Sequence, residues 1–96
     1  MRAYEIDGSE FASLEEFYDE VSRVLIPGVY WGRSLDAFND ILRGGFGTPA
    51  EGFVLRWKNC DISRERLPEF DTLVEIIRTH GENGEESEDN VRLILD

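Results

Sequence analysis

Among 96 residues there is one cysteine, Cys60, and one histidine, His80. A single thiol cannot form an intrachain disulfide and fits a reducing compartment better than an oxidising one, so the cytosol is the expected location. A thiol nucleophile with an imidazole base is available only as the pair Cys60 and His80, which leaves a small Cys/His hydrolase as the least favoured reading; Cys60 is more simply a small buried hydrophobe. Paired Cys or His spacing of the kind that holds Zn²⁺ is absent. The acids of residues 82–89 do not follow the Asp-x-Asp-x-Asp-Gly pattern of a calcium loop, and there is no Gly-x-x-x-x-Gly-Lys phosphate loop. No metal and no cofactor are expected, and the chain is not read as an enzyme.

Long apolar runs are missing too. No stretch approaches the eighteen or so apolar residues needed to span a bilayer, and the first seventeen residues carry Glu5, Asp7, Glu10, Glu15 and Glu16 in place of a signal peptide's basic start and apolar middle. A soluble protein with no membrane partner is expected. Bases are scarce, 10 against 21 acids, for a net charge of −11. A phosphate backbone of the same sign would repel this chain, so direct nucleic-acid binding is not expected and a basic partner fits better. An acidic surface that only keeps the protein soluble and monomeric is the plainer reading of the same charge.

What is present is an apolar fraction of 41%. A chain of this length buries roughly 65% of its unfolded surface, enough for one unstapled domain spanning residues 1–96. Residues 2–6 alternate and end at Asp7-Gly8, which predicts an opening strand and a turn. Leu14, Phe17, Tyr18, Val21, Val24 and Leu25 then recur at helical spacing, behind a capping box made by Ser13 and Glu16, and Pro27-Gly28 closes that helix. Ser34 is the expected N-cap of a second helix with Leu35, Phe38, Ile41 and Leu42 inward, stopped by Gly44-Gly45. Residues 52–57 read as a buried strand, 63–67 as a helical turn, and Phe70, Leu73, Val74 and Ile77 as one face of a last helix ending near His80 and Gly81. Residues 82–90, with five acids and nothing apolar, read as a solvated loop, and 91–95 as the third strand. The expected fold is α/β, a small three-stranded parallel sheet packed with helices in the order β-α-α-β-α-β.

Asp36 and Asp40 are four residues apart, so a helix places them on one face with Cβ atoms about 5–6 Å apart. That repulsion costs the isolated helix stability. Asp36 recovers part of it from the helix N-terminus, but Asp40 lies a turn further on, and a cationic pocket on a partner would relieve it. Taken alone, the two acids fit a solvated helix face better.

Residues 29–44, Val-Tyr-Trp-Gly-Arg-Ser-Leu-Asp-Ala-Phe-Asn-Asp-Ile-Leu-Arg-Gly, resemble the barstar family of intracellular inhibitors of the ribonuclease barnase. The resemblance rests on the aromatic pair with Gly32, on Leu35-Asp36-Ala37, and on Asp40 followed by Leu42 and Gly44. The strands around Val54 and Val91 fall where that family has its own. The resemblance implies inhibition of a basic ribonuclease by a loop and an acidic second helix. In it Asp40 imitates the substrate phosphate through charge-assisted hydrogen bonds, and Asp36 meets a neighbouring cation. Tyr30, Trp31, Gly32, Ser34, Leu35, Asn39, Arg43, Gly44 and Phe46 are implied to share the contact, although Trp31 equally suits a place under the loop as core. Trp57 is expected to be structural.

The segment departs from the family at Asn39 for tryptophan, Ser34 for asparagine, Arg33 for glutamate and Arg43 for threonine. Two arginines in an acidic face should repel a barnase-like rim, which favours a different ribonuclease as target. Thr79 stands where the family's last helix carries an acid, leaving Glu82 or a loop acid to substitute, and Phe46 stands in for an aromatic after the second helix. Acids of the first helix, Asp19 and Glu20, are expected to contribute mainly long-range field. The alternative function is an immunity-type module for a different basic toxin.

Overall fold

The structure, a computed structural model, describes residues 2–43, 48, 52–81 and 91–96. Three strands, β1 (Arg2–Asp7), β2 (Phe53–Lys58) and β3 (Val91–Leu95), form a parallel sheet in the order β1-β2-β3. Phe53 pairs in register with Arg2 on one side and Val91 on the other. Between β1 and β2 lie α1 (Leu14–Val24) and α2 (Leu35–Leu42); between β2 and β3 lie α3 (Cys60–Arg66) and α4 (Phe70–Thr79). The expected α/β class and three-stranded parallel sheet are as found. Strand order advances in one direction, so two crossovers of the usual right hand place their helices on the same face.

That arrangement explains the alternation along β2. Phe53, Leu55 and Trp57 are fully buried beneath the helices, whereas Arg56 and Lys58 point to the opposite, uncovered face. There Lys58 approaches Glu5 at 3.7 Å and Arg56 approaches Asp96 at 3.6 Å. Exposed pairs of this kind contribute little to stability. The core is a chain of aromatic contacts: the Phe17 ring on α1 meets Phe11, Phe38 of α2 and Trp57 of β2, and Trp57 meets Phe70 of α4.

Several boundaries differ from the sequence reading. α1 ends at Val24, before Pro27, because the residue preceding a proline is pushed out of the helical region. Its capping box forms with a shift of one residue: Ser13 Oγ accepts from Glu16 N–H, and Glu16 Oε1 accepts from Ala12 N–H. The expected turn at 63–67 is a full helix, α3, that starts directly after β2. Its one buried residue is Ser63, whose hydroxyl accepts from the Trp57 indole N–H at 2.9 Å, so no apolar periodicity announced it. Gly8 opens a 3-10 turn, Gly8–Glu10, tight against α3. A Cβ there would collide with Ser63 Oγ and the Asn59 carbonyl. The loop expected at residues 82–90 and the glycine stop at 44–45 lie outside the described residues.

Asp7 ties this corner together. Its Oδ1 accepts from Asn59 Nδ2 at 2.8 Å and from the backbone and hydroxyl of Ser9. These bonds, Asn59 first, hold its carboxyl down from 3.8 to about 2. A depressed folded pKa contributes stability above the unfolded value and loses it as pH falls through the folded one. Wild type should therefore lose more stability between pH 4 and 2 than Asp7→Asn does, as acid-titration melts would show; parallel curves would dismiss the contribution.

Candidate functional site

Ser34 opens α2 as expected: its hydroxyl accepts from Ala37 N–H at 3.1 Å. At the other end Arg43 N–H bonds the Asp40 carbonyl, and Thr48 Oγ1 donates to the Ile41 carbonyl at 2.7 Å, satisfying groups a helix terminus leaves open. Phe38, Ile41 and Leu42 are fully buried and Leu35 half-buried, so the helix has one fixed inward side. Its other side necessarily carries residues 36, 39, 40 and 43, at the three- and four-residue steps of one face. Asp36, Asp40 and Arg43 are exposed there. No residue of the described chain pairs with either aspartate.

Asn39 is half-buried and turned toward α4, its Oδ1 2.6 Å from His80 Nε2. Much of its side chain is therefore engaged within the fold, a use that its place in the helix did not disclose. Thr79, at the position of the missing acid, donates to the Ile76 carbonyl of its own helix at 2.7 Å.

The loop before α2 separates its two aromatics. Tyr30 is 85% exposed and Trp31 is 4% exposed. Trp31 takes the core alternative: its indole N–H donates to Ser22 Oγ on α1 at 2.7 Å and its ring meets Tyr18 edge-on. As a partner-facing side chain it is corrected; burial of so large an apolar ring outweighs its exposure in a loop. Gly32 follows with a φ of +90°, a conformation disfavoured for a residue with a Cβ, and Arg33 has a φ of +49°.

Arg33 does not stand free on the face. Its guanidinium donates to Asp19 Oδ1 at 2.6 Å and to the Glu15 carbonyl at 3.0 Å, both on α1. The expected repulsion of a basic rim by Arg33 is thereby reduced, while Arg43 remains exposed. Asp19 and Glu20, expected to act mainly through their field, also have contacts within the fold. Asp19 holds Arg33, and Glu20 is buried, accepting from Asp7 N–H and pairing with Arg23 at 2.8 Å. Nothing in the local pattern marked Asp19 or Ser22; only the loop folding back onto α1 gives them partners. Gly44 and Phe46 lie outside the described residues.

Cys60 and His80 fail as a catalytic pair. Cys60 N–H bonds the Asp96 carbonyl beyond one end of β3, and His80 carbonyl accepts from Val91 N–H at the other. Five residues of strand separate these points by about 16 Å. Among the described residues no group of three His, Cys, Asp or Glu is placed to hold a metal ion, and no helix is long and apolar enough to cross a membrane.

Comparison with known proteins agrees with this geometry. A Bacillus subtilis (strain 168) protein named "Putative ribonuclease inhibitor YrdF" is 33% identical to the chain over 97 residues, covering all of both. The family model described as Barstar (barnase inhibitor) matches residues 1–96. With a match over the full length and an acidic, exposed second helix on a three-stranded parallel sheet, the chain belongs to the barstar family.

Proposed function

We propose that this chain inhibits a ribonuclease by seating the exposed face of α2 and the loop before it in the nuclease's substrate cleft. Asp40 takes the place of the substrate phosphate among cationic side chains, Asp36 meets a second cation, and Tyr30 supplies apolar contact. Gly32, Ser34 and Leu35 shape the approach of the loop to α2, Arg43 lies at the rim, and the inhibitor acts without catalysis, metal or cofactor.

The observation that carries this reading is the pair of exposed carboxylates on one face of a helix whose other face is locked in the core. Two like charges held one turn apart destabilise the free helix slightly and gain charge-assisted hydrogen bonds once a cationic site receives them. A site that holds an RNA phosphodiester has the charge and the donors to do so. Membership of a family described by inhibition of barnase supports the choice of target class.

Capture of partners from the native cell on the immobilised chain, followed by RNA-cleavage assays, tests the proposal. The captured protein should cleave RNA, added chain should suppress that cleavage, and association should slow by at least about tenfold from low to high salt as steering is screened. A captured basic protein without ribonuclease activity would instead support the immunity-type reading, in which the same acidic face meets another basic toxin. Association that is flat in salt would remove the electrostatic argument.

A further inference from the structure

The loop that carries Tyr30 has almost no backbone support of its own. Across residues 27–33 the described backbone hydrogen bonds reduce to Val29 N–H to the Ile26 carbonyl, at 3.2 Å. Side chains hold it instead, and they reach a single stripe of α1. Trp31 bonds Ser22 and packs on Tyr18; Arg33 bonds Asp19 and the Glu15 carbonyl. Positions 15 and 19, and likewise 18 and 22, are four residues apart, and 15/18 and 19/22 are three apart, so α1 presents them side by side.

We propose that Asp19 is a positioning residue: through Arg33 it clamps the loop onto α1, on the far side of Gly32 from the Trp31 anchor, and so presents Tyr30 in the geometry in which it docks. Both anchors are needed because each fixes only one side of Gly32, whose backbone would otherwise swing freely. Gly32 and Arg33 both hold positive φ, and an arginine in that region persists only where surrounding contacts over-determine it. The contact to Asp19 is charge-assisted and short, and it neutralises a cation that would otherwise oppose a basic partner. In binding, a loop already ordered raises the fraction of molecules competent to dock, which lowers the apparent dissociation constant in proportion. This last consequence rests on the docking role proposed above; the clamp itself does not.

The two tryptophans supply the test, on the free protein. Each indole N–H donates to a serine hydroxyl, Trp31 to Ser22 under the loop and Trp57 to Ser63 in the core. Hydrogen exchange of the two indole protons, followed by NMR, thus reports the loop and the core separately. In Asp19→Ala the Trp31 proton should exchange about two- to fivefold faster, the range an exposed ion pair supplies, while Trp57 is unchanged, because local opening and global unfolding are distinct events. The charge-swapped pair Asp19→Arg with Arg33→Asp, which keeps net charge, should restore slow exchange at Trp31. The clamp is overturned if the two protons accelerate together, if neither moves, or if the swap restores nothing. Ribonuclease inhibition can stand while the clamp fails, and the reverse, since the exchange measurement involves no partner.

Discussion

Asp40→Ala is expected to weaken inhibition of the cognate ribonuclease by a thousandfold or more while leaving the protein folded. Truncating a charged anchor at an interface centre costs on the order of 4 kcal/mol or above, and each 1.4 kcal/mol is about tenfold in affinity. That range comes from truncations at protein interfaces, the barnase–barstar pair prominent among them, and the fold described above supplies only the ranking. Asp40 is exposed on α2, with no ion-pair partner among the described residues, so its loss removes nothing from the free protein's own network. In the complex the same loss leaves cations buried and unpaired, which is where most of the cost arises.

Asp36→Ala should cost less, because part of its charge is committed to the N-terminus of α2. Asp61→Ala, an exposed site on α3, should change inhibition only through net charge. Asp19 and Glu20 are poor controls, since one clamps Arg33 and the other is buried against Asp7. Removing Asp40 also relieves its repulsion with Asp36, so the melting temperature should hold or rise slightly. Inhibitor titrations with a melt of each variant check the series. Equal losses at Asp40 and Asp61 would eliminate the plug.

Phe17→Ala is expected to produce the largest loss of stability. Its ring is fully buried and touches Phe11 at 5.4 Å, Phe38 at 5.3 Å and Trp57 at 5.4 Å between centroids. Emptying that site removes the apolar transfer energy of the ring and leaves a cavity at the meeting point of α1, α2 and β2, together about 3–5 kcal/mol. For a domain of this size each kcal/mol lowers the melting temperature by about 4–8 °C, so the fall should be roughly 12–40 °C. Total stability of small domains is about 5–15 kcal/mol, which puts this variant close to unfolding at physiological temperature. Phe38 sets the inward side of α2, so whatever inhibition survives should be lost first as temperature rises. Phe17→Leu, which fills much of the space, should lose less than half as much. A loss under 1 kcal/mol in denaturant titrations of Phe17→Ala would mean that the cluster is not the stabilising centre.

Much of the site could be read without the fold. Ser34 announced the start of α2, the spacing of Phe38, Ile41 and Leu42 announced its inward side, and the same arithmetic put Asp36 and Asp40 outward. The strand over Val91–Leu95 was legible at its full extent, and the opening and central strands differ from the reading by one residue at their ends. These features rest on periodicity and capping, which act over three or four residues and are therefore written along the chain. α3 was cut short because its buried residue is a serine serving Trp57, a polar contact that leaves no apolar stripe to read.

Apart from α3, local sequence thus determined where the helices and strands form and which side of α2 is acidic. Whether Trp31 faces a partner or the core was decided by the seat that Tyr18 and Ser22 provide on α1. Arg33 is tamed by Asp19, fourteen residues earlier, and Asn39 is drawn inward by His80, forty-one residues later. Neither pairing has any signature within a helical turn. Each exists because the β1-to-β2 and β2-to-β3 crossovers stack their helices on one face of the sheet, bringing α1 against the loop and α4 against α2, and proximity created by packing is a property of the whole chain rather than of any segment of it.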